Sequence, residues 1–240
     1  MQALIAVTFR EQGIAMKRVL IACGFLLGVS ATAQAGLLDP ASVEASRFVP
    51  PPPADGSADS KAEFAELKAI AARSTPAALG AAARDAKDER PDLFNGTVGF
   101  DISAMPETNK LLMMVVDEEG ADVKAAKKYF HRVRPYRADP TIKTCQPVKP
   151  GKAANSYPSG HADLAFSVGV VLAALLPAKS QAIMARASEY AEHRLVCGVH
   201  FRSDIVAGQQ YGTIIALKLM DNPIFQAQMA KARAELAAHT

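Results

Sequence analysis

The chain has 240 residues, half of them hydrophobic, so it can bury a core of the size that one compact domain needs. Lysine and arginine number 27 against 24 aspartate and glutamate, which gives a formal net charge of +3. So small an excess of positive charge argues against a broad basic face that binds nucleic acid. After the N-terminal region, no apolar run reaches the roughly 20 residues that span a membrane.

The N-terminus has the three parts of a secretory signal peptide. Met16-Lys17-Arg18 is a charged start, residues 19–29 are apolar, and Ala33-Gln34-Ala35 supplies the small residues of a cleavage site. We expect cleavage after residue 35 and a periplasmic protein, with translation from Met16 as the more natural start. Loss of residues 1–35 removes three basic residues and one acidic residue, which lowers the net charge to +1. We therefore expect no nucleic-acid partner and no stable membrane association for the mature protein.

Three cysteines bear on the cellular compartment. Cys23 leaves with the signal peptide, whereas Cys145 and Cys197 remain in a compartment in which disulfides persist. The sequence leaves two possibilities open for this remaining pair. They form a disulfide with each other, or they are two unpaired buried thiols.

The elements predicted along the mature chain are nearly all helical. Residues 36–60 form an arm, extended from Phe48 onward because four successive prolines remove backbone donors and fix φ. A polar loop that contains proline and glycine covers residues 136–157. Alternating strand patterns are almost absent, so the fold class is all-α, with a single compact helical domain over residues 61–240. Composition and apolar spacing predict helices over residues 61–73, 76–87, 107–116, 122–133, 159–176, 179–194, 203–220 and 223–238.

The most informative stretch is Asn155-Ser156-Tyr157-Pro158-Ser159-Gly160-His161, which has the features of a helix entrance that binds an anion. Pro158 ends the preceding segment, and Ser159 is a favoured N-cap for the apolar helix that follows. The first free N–H groups of a helix attract negative charge. Gly160 allows a ligand to approach the backbone, and His161 is placed to donate a proton to that ligand. An ordinary capped helix with a surface histidine is the competing interpretation.

Two cations precede this stretch at a spacing of seven residues. On a continuous helix Lys127 and Arg134 differ in direction by only about 20° and in height by roughly 10 Å. Such a pair can grip one oxyanion between a planar guanidinium fork and a point charge. Pro135 moves Arg134 out of helical geometry, which makes this arithmetic approximate. A solvated basic face is the alternative, because further cations lie nearby at Lys124, Lys128, Arg132 and Arg137.

A third cluster begins at Arg194, which adds another cation. Gly198 and β-branched residues interrupt the helix here, which puts His200 in a turn before the next helix. Asp204 can accept a hydrogen bond from one ring nitrogen of His200 and leave the other nitrogen free as a nucleophile. A surface His–Asp pair and a metal site are the alternatives. No HExxH, paired CxxC or third ligand set accompanies these residues, so we expect no metal.

Together these residues resemble a known signature in three parts: Lys127-x6-Arg134-Pro135, Pro158-Ser159-Gly160-His161 and Arg194-x5-His200-x3-Asp204. The signature is that of the phosphatidic acid phosphatase type 2 and haloperoxidase superfamily. Within it, the chain is similar to the bacterial class A non-specific acid phosphatases over nearly its whole mature length. Two positions depart from the family pattern. His193 stands where serine is usual, and Phe201 stands where tryptophan or tyrosine is commoner.

The resemblance implies hydrolysis of small-molecule phosphomonoesters through a phosphohistidine intermediate. His200 would attack phosphorus, His161 would protonate the leaving alcohol, and Asp204 would hold His200 in its working tautomer. No metal or other cofactor is implied, because cations and helix N–H groups supply the positive charge. Phosphotransferase side activity and a homo-oligomeric state are expectations of the same kind. The groups implied to bind the phosphate oxygens are Lys127, Arg134, Ser159, Gly160 and Arg194.

Three other functions compete with this one. A membrane lipid phosphatase needs spanning helices that the sequence lacks. A vanadium haloperoxidase would use the same cationic cage, with His200 as the vanadate ligand. A phosphate-binding protein without catalysis would explain the cations and the helix N-terminus, but it would not explain His161 together with the pair His200 and Asp204.

Overall fold

Residues 36–148 and 155–239 are described by the computed structural model. Within these ranges the chain forms helices and no strands, so the predicted all-α fold class is confirmed. Gly36–Thr240 is one compact unit. The predicted signal peptide, with its start at Met16 and its cleavage after residue 35, lies outside the described residues.

Nine α-helices lie in the described residues, together with short 3-10 turns. They are α1 Ala58–Arg73, α2 Pro76–Asp85, α3 Asn95–Val98, α4 Pro106–Phe130, α5 Pro135–Ala138, α6 Gly160–Leu175, α7 Ser180–Val196, α8 Arg202–Asp221 and α9 Pro223–Ala237. Several begin where a side chain caps the first turn, as Ser57, Thr75 and Asn222 do for α1, α2 and α9. Among the described residues, none of the helices is both long and apolar enough to cross a membrane.

The segment before α1 is less extended than predicted. Two 3-10 turns, Pro40–Ser42 and Ala45–Arg47, form in it, and α1 begins at Ala58 rather than at residue 61. The hydroxyl of Tyr157 donates a hydrogen bond to the carbonyl of Pro50. This contact ties the proline stretch to the polypeptide that leads into α6.

The α4 helix is continuous over 25 residues, whereas the sequence predicted two helices with a break at residues 117–121. Gly120 does not interrupt it, because buried side chains continue along the helix on both sides of the glycine, including Val115, Glu119 and Val123. Burial of this long face outweighs the modest cost of one glycine within a helix, about 1 kcal/mol.

The end of α4 also differs from the prediction. The helix stops at Phe130 because His131 adopts a left-handed conformation with φ of 50°. Arg134 therefore precedes α5 on an extended backbone, with φ of −73° and ψ of 149°. The predicted placement of Lys127 and Arg134 on one helical stripe is wrong, since only Lys127 is in the helix.

The α6 helix packs against α4, α7 and α8. Its buried residues lie on most of its circumference, as its apolar sequence requires, and are Ala162, Asp163, Leu164, Ala165, Ser167, Val168, Gly169, Val171, Leu172 and Leu175. The α8 helix approaches the start of α6 very closely, since a Cβ atom on Gly208 would lie 2.5 Å from the carbonyl oxygen of Ser159. The Ser159 N–H also donates to the Asp204 carbonyl at 2.9 Å. These contacts bring the first turns of α6 and α8 together.

Cys145 and Cys197 form a disulfide, with their Cα atoms 4.6 Å apart. This result decides between the two possibilities that the sequence left open. Gly198 follows with φ of +65°, and a Cβ atom on it would lie 2.4 Å from the carbonyl oxygen of Lys143. Only glycine fits such a position. The disulfide and the glycine together fix the backbone immediately before His200.

Candidate active site

The groups predicted to form the site converge in one place. The Lys127 ammonium donates to the Pro158 carbonyl at the entrance of α6, and the Arg134 guanidinium contacts the ring of His200. The ring of His161 stacks on Tyr190, which lies one helical turn before Arg194 in α7. The fold thus brings together the eight predicted residues: Lys127, Arg134, Ser159, Gly160, His161, Arg194, His200 and Asp204.

His200 is held in one tautomer by its two neighbours. Its Nδ1 lies 3.2 Å from Asp204 Oδ2, and its Nε2 lies 3.0 Å from Arg134 Nη1. A guanidinium nitrogen only donates and a carboxylate oxygen only accepts, so the ring carries its proton on Nδ1 and a lone pair on Nε2. Burial, followed by Arg134 and Lys127, holds the pKa of His200 well below its usual value. The neutral ring therefore presents a nucleophilic nitrogen to the cationic cluster.

Asp204 is fully buried and fixed by donors other than His200. The Arg132 guanidinium donates to Oδ1 at 2.6 Å, and the Ser156 hydroxyl and the Phe201 N–H donate to Oδ2 at 2.5 and 2.9 Å. The Phe201 bond also caps the first turn of α8. These donors hold the carboxylate rigidly against the imidazole.

Arg132 is a site residue that the sequence did not identify. Its side chain is only 6% exposed, and it donates to Glu63 at 2.5 Å and to the Ser203 hydroxyl at 2.7 Å in addition to its bond with Asp204. Its guanidinium carbon lies 4.2 Å from the centre of the Phe201 ring. The interpretation of Arg132 as part of a solvated face depended on a helix that continued to residue 133. In the extended segment after α4, alternate side chains point to opposite sides of the backbone. This alternation is the signal that would have predicted a buried Arg132 next to an exposed Val133.

Asn155 is the second residue without a role in the sequence prediction. Its side-chain oxygen accepts from Arg134 Nε at 3.0 Å, and its carbonyl accepts from Lys127 Nζ at 3.1 Å. Asn155 thus holds both cations against the entrance of α6. Burial, followed by the charge of Arg134, lowers the pKa of Lys127 to about 7. The charge of Lys127 is therefore lost as the pH rises through neutrality.

The first turn of α6 is capped as predicted. The Ser159 hydroxyl accepts from the Ala162 N–H at 3.4 Å. The backbone N–H groups of Gly160 and His161 have no hydrogen-bond partner within residues 36–148 and 155–239. Gly160 also lies next to Lys127, since a Cβ atom on it would be 3.7 Å from the lysine Cε. The turn therefore offers free N–H donors beside a cation.

Arg194, in the last turn of α7, is the most unusual cation of the cluster. It is 1% exposed, yet its Nε and Nη1 have no hydrogen-bond partner in the part of the chain that the structure describes. Burial lowers the pKa of Arg194 to about 10, which leaves it charged at neutral pH. A buried charge with unsatisfied donors is costly unless a ligand accepts from them. This geometry is that of an anion site.

Comparison with known proteins identifies the family. A model described as PAP2 superfamily matches residues 110–224, the span that contains every predicted site residue. Non-specific acid phosphatases from Salmonella typhi and Salmonella typhimurium are each 32% identical over 204 residues, which is 81% of this chain and 81% of theirs. The chain belongs to the non-specific acid phosphatases of the PAP2 superfamily. The family predicted from the three motifs is thus confirmed.

A solved structure supports the fold of this phosphatase. The transmembrane PAP2 type phosphatidylglycerolphosphate phosphatase from Bacillus subtilis superimposes with a TM-score of 0.53 at 19% identity. The match covers 75% of this chain and 92% of that one. At so low an identity the likeness shows a shared fold alone.

His161 of this phosphatase is not the surface histidine of the competing interpretation. Its side chain is 12% exposed, and its ring stacks on Tyr190 with the ring centres 5.5 Å apart. Its Nε2 lies 3.4 Å from the Ala86 carbonyl, and its Nδ1 lies 3.3 Å from Glu89 Oε1. Burial, followed by the charge of Arg194, holds the pKa of His161 well below its usual value.

The two departures from the family pattern have structural roles in this phosphatase. His193 Nδ1 lies 2.6 Å from Asp85, and Arg186 donates to the same carboxylate at 2.7 and 2.9 Å. Although burial opposes ionisation, these bonds lower the pKa of Asp85 to about 2. Phe201 packs edge-on against Phe64 with ring centres 4.9 Å apart. His193 thus ties α2 to α7 beside Arg194, and Phe201 forms the wall beneath Arg132.

We find no metal-binding cluster among the described residues. No three or more histidine, cysteine, aspartate or glutamate side chains are grouped there in a way that could hold a metal ion. The site does contain three cations, Lys127, Arg134 and Arg194. The phosphatase therefore has, within the chain itself, donors that can bind a phosphate group directly.

Proposed function

We propose that this phosphatase hydrolyses phosphate monoesters through a covalent phosphohistidine on His200. One observation carries the proposal: a neutral imidazole nitrogen, oriented by Asp204, lies beside a cluster of cations in which the buried Arg194 has unsatisfied donors. A phosphate-binding protein would need the cations and the helix N-terminus. It would have no use for a nucleophile held in one tautomer.

Substrate binding frees the nucleophile in this proposal. The phosphate oxygens accept from Arg194 and from the N–H groups of Gly160 and His161, and they compete for Arg134 Nη1. That guanidinium nitrogen lies 3.0 Å from His200 Nε2 in the free protein. Once it turns to the phosphate, the Nε2 lone pair is released toward phosphorus. The substrate's own charge therefore activates the histidine that attacks it.

The reaction then proceeds in two displacements. In the first, the bond between His200 Nε2 and phosphorus forms, the bond from phosphorus to the alcohol oxygen breaks, and His161 gives its proton to that oxygen. In the second, water attacks phosphorus, His161 takes a proton from the water, and phosphate leaves His200. An alcohol in place of water would receive the phosphoryl group, which is the proposed phosphotransferase activity. The cations offset the charge of the equatorial oxygens in both steps.

Trapping of the intermediate tests this proposal. After rapid quenching with a ³²P-labelled monoester, we expect label on the protein that is stable in base and labile in acid, and no label on a His200→Ala variant. Absence of label during measurable turnover would refute the covalent step. Halide oxidation with vanadate, instead of phosphate release, would support the haloperoxidase alternative.

We propose that catalysis needs no metal ion. Lys127, Arg134 and Arg194, with the first turn of α6, supply the positive charge that a divalent ion would otherwise bring. Activity is expected to survive exhaustive chelation. A loss that a divalent ion restores would contradict the proposal.

Export to the periplasm is proposed from the N-terminal pattern and from the Cys145–Cys197 disulfide, because such bonds persist in oxidising compartments. N-terminal sequencing of the protein from a periplasmic fraction should begin at Gly36. An unprocessed N-terminus in the cytoplasm would contradict it. The proposed homo-oligomer is tested by light scattering of the purified protein, where the mass of a single chain would count against it.

A further inference from the structure

Glu89 is a charged residue beside the site that the proposed mechanism does not use. It lies in the loop after α2, and its Oε1 is 3.3 Å from His161 Nδ1. Its side chain is 68% exposed, so it stands at the mouth of the site rather than inside it. No other carboxylate in the described ranges is paired with His161.

The loop that carries Glu89 is held to α7 by contacts at two positions before Glu89. Asp85, at the end of α2, is bound by Arg186 and His193. The Tyr190 hydroxyl donates to the carbonyl of Asp88, immediately before Glu89. The backbone is therefore anchored to the helix that also carries Arg194, and the carboxylate is kept at the mouth by the fold.

The orientation of His161 places the leaving alcohol next to Glu89. As the proton donor, His161 must reach the ester oxygen with one ring nitrogen. Its Nε2 is directed at the Ala86 carbonyl, so Nδ1 is the nitrogen that remains for the substrate. Nδ1 is the nitrogen at which the Glu89 carboxylate lies. The first atoms of the alcohol beyond the ester oxygen must therefore pass beside this carboxylate.

We propose that Glu89 is a specificity-determining residue that selects the leaving group. It favours monoesters of neutral or cationic alcohols that carry a hydroxyl or ammonium group near the ester, and it disfavours monoesters with a second anionic group there. A carboxylate accepts hydrogen bonds from hydroxyl and ammonium groups, whereas it repels a carboxylate or a second phosphate. The inference rests on the proposed phosphomonoesterase function and extends it to the substrate class.

The size of the effect follows from the separation of the charges. Two like charges about 5 Å apart in a solvent-exposed, water-like environment change a rate or affinity by roughly four-fold. Because Glu89 is largely exposed, this high-dielectric figure is the appropriate one. The three cations Lys127, Arg134 and Arg194 carry more positive charge than the single negative charge of Glu89 offsets. The phosphate group itself therefore still binds.

The test compares glycerol 3-phosphate with 3-phosphoglycerate, which differ only in a hydroxymethyl group and a carboxylate. We expect wild type to have the higher kcat/KM for glycerol 3-phosphate. Glu89→Gln should reduce this preference roughly four-fold, and Glu89→Lys should reduce it further in the same direction. The matched control is Glu189→Gln, a carboxylate that is 59% exposed and pairs with Arg186, and its preference should equal that of wild type.

The outcomes separate this inference from the function on which it rests. Equal preferences in wild type, Glu89→Gln and Glu89→Lys, with both esters hydrolysed, would overturn the inference and leave the phosphatase assignment intact. The same change in Glu189→Gln would also overturn it, because the effect would then be one of net charge. A wild-type chain that hydrolyses neither these esters nor p-nitrophenyl phosphate would overturn the proposed function and the inference together.

Discussion

Arg132→Gln is expected to slow catalysis, although Arg132 is not one of the residues proposed to bind the phosphate. Glutamine keeps a donor amide but removes the charge, and it cannot span Asp204, Ser203 and Glu63 as the guanidinium does. Asp204 then keeps only the Ser156 and Phe201 donors and the imidazole. The carboxylate is free to turn, so His200 is held less firmly in the orientation from which it attacks.

The magnitude follows from the lost bond. A hydrogen bond to a charged group contributes about 1.5–3 kcal/mol, which corresponds to roughly 10- to 150-fold in kcat if all of it is lost in the transition state. The loss should fall on kcat rather than on KM, since Arg132 does not contact the phosphate. The unneutralised charge of Asp204 should also raise the pKa of His200. The acidic limb of the kcat/KM profile would then move to higher pH, because more of the histidine is protonated.

A matched control separates positioning from folding. Glu63→Gln breaks the same buried ion pair from its other side, so both variants should lose stability, by about 3–5 kcal/mol for a broken buried pair. In Glu63→Gln, however, Arg132 still holds Asp204, and kcat should fall less than about threefold. Urea unfolding and steady-state assays with p-nitrophenyl phosphate measure the two quantities. Equal falls of kcat in the two variants, or an unshifted pH profile in Arg132→Gln, would refute the reasoning.

Three further predictions address other parts of the site. His161→Ala should cost roughly 10²–10⁴ in kcat with alkyl esters and less with an activated aryl phosphate; equal losses on both would remove the acid role. Because the pKa of Lys127 is about 7, inhibition by sulfate, which does not titrate near neutrality, should weaken as the pH rises from 6 to 8, whereas Lys127→Met should show no such bend; a flat wild-type profile would contradict this. Cys197→Ser opens a disulfide that closes a loop of 52 residues and should lower the unfolding free energy by about 4 kcal/mol in urea titrations, and an unchanged midpoint would contradict it.

Local chemistry explains which parts of the site were predictable. Three features depend only on neighbours within four residues: Ser159 as an N-cap, the free N–H groups that follow it, and the spacing between His200 and Asp204. Such features follow from capping and turn chemistry, which tertiary contacts reinforce here. The helical fold class was predictable for the same reason, since composition and apolar spacing are local properties.

Long-range partners explain what was missed. The end of α4 depends on His131 adopting a left-handed backbone conformation. This conformation is uncommon for non-glycine residues, so the residue type alone does not predict it. Because the helix was extended three residues too far, Arg132 was placed with the exposed lysines. Its partner Glu63 is 69 positions away in the sequence, and no local pattern joins the two. Tertiary contacts, rather than propensity, decide both features.

The two histidines need different protonation states, His161 protonated and His200 neutral, although the free protein lowers the pKa of both. Burial is the first cause in each case, and the nearby cations are the second, with Arg194 foremost for His161 and Arg134 for His200. A bound phosphate dianion offsets the cations and raises the pKa of both rings. His161 gains most from this, because the hydrogen bond from its ring to the Ala86 carbonyl favours the protonated form, whereas His200 must keep the lone pair of Nε2 free for phosphorus. Substrate charge thus favours the protonated form of His161 while the covalent step consumes the lone pair of the nucleophile His200, so turnover should be fastest on the acidic side of neutrality.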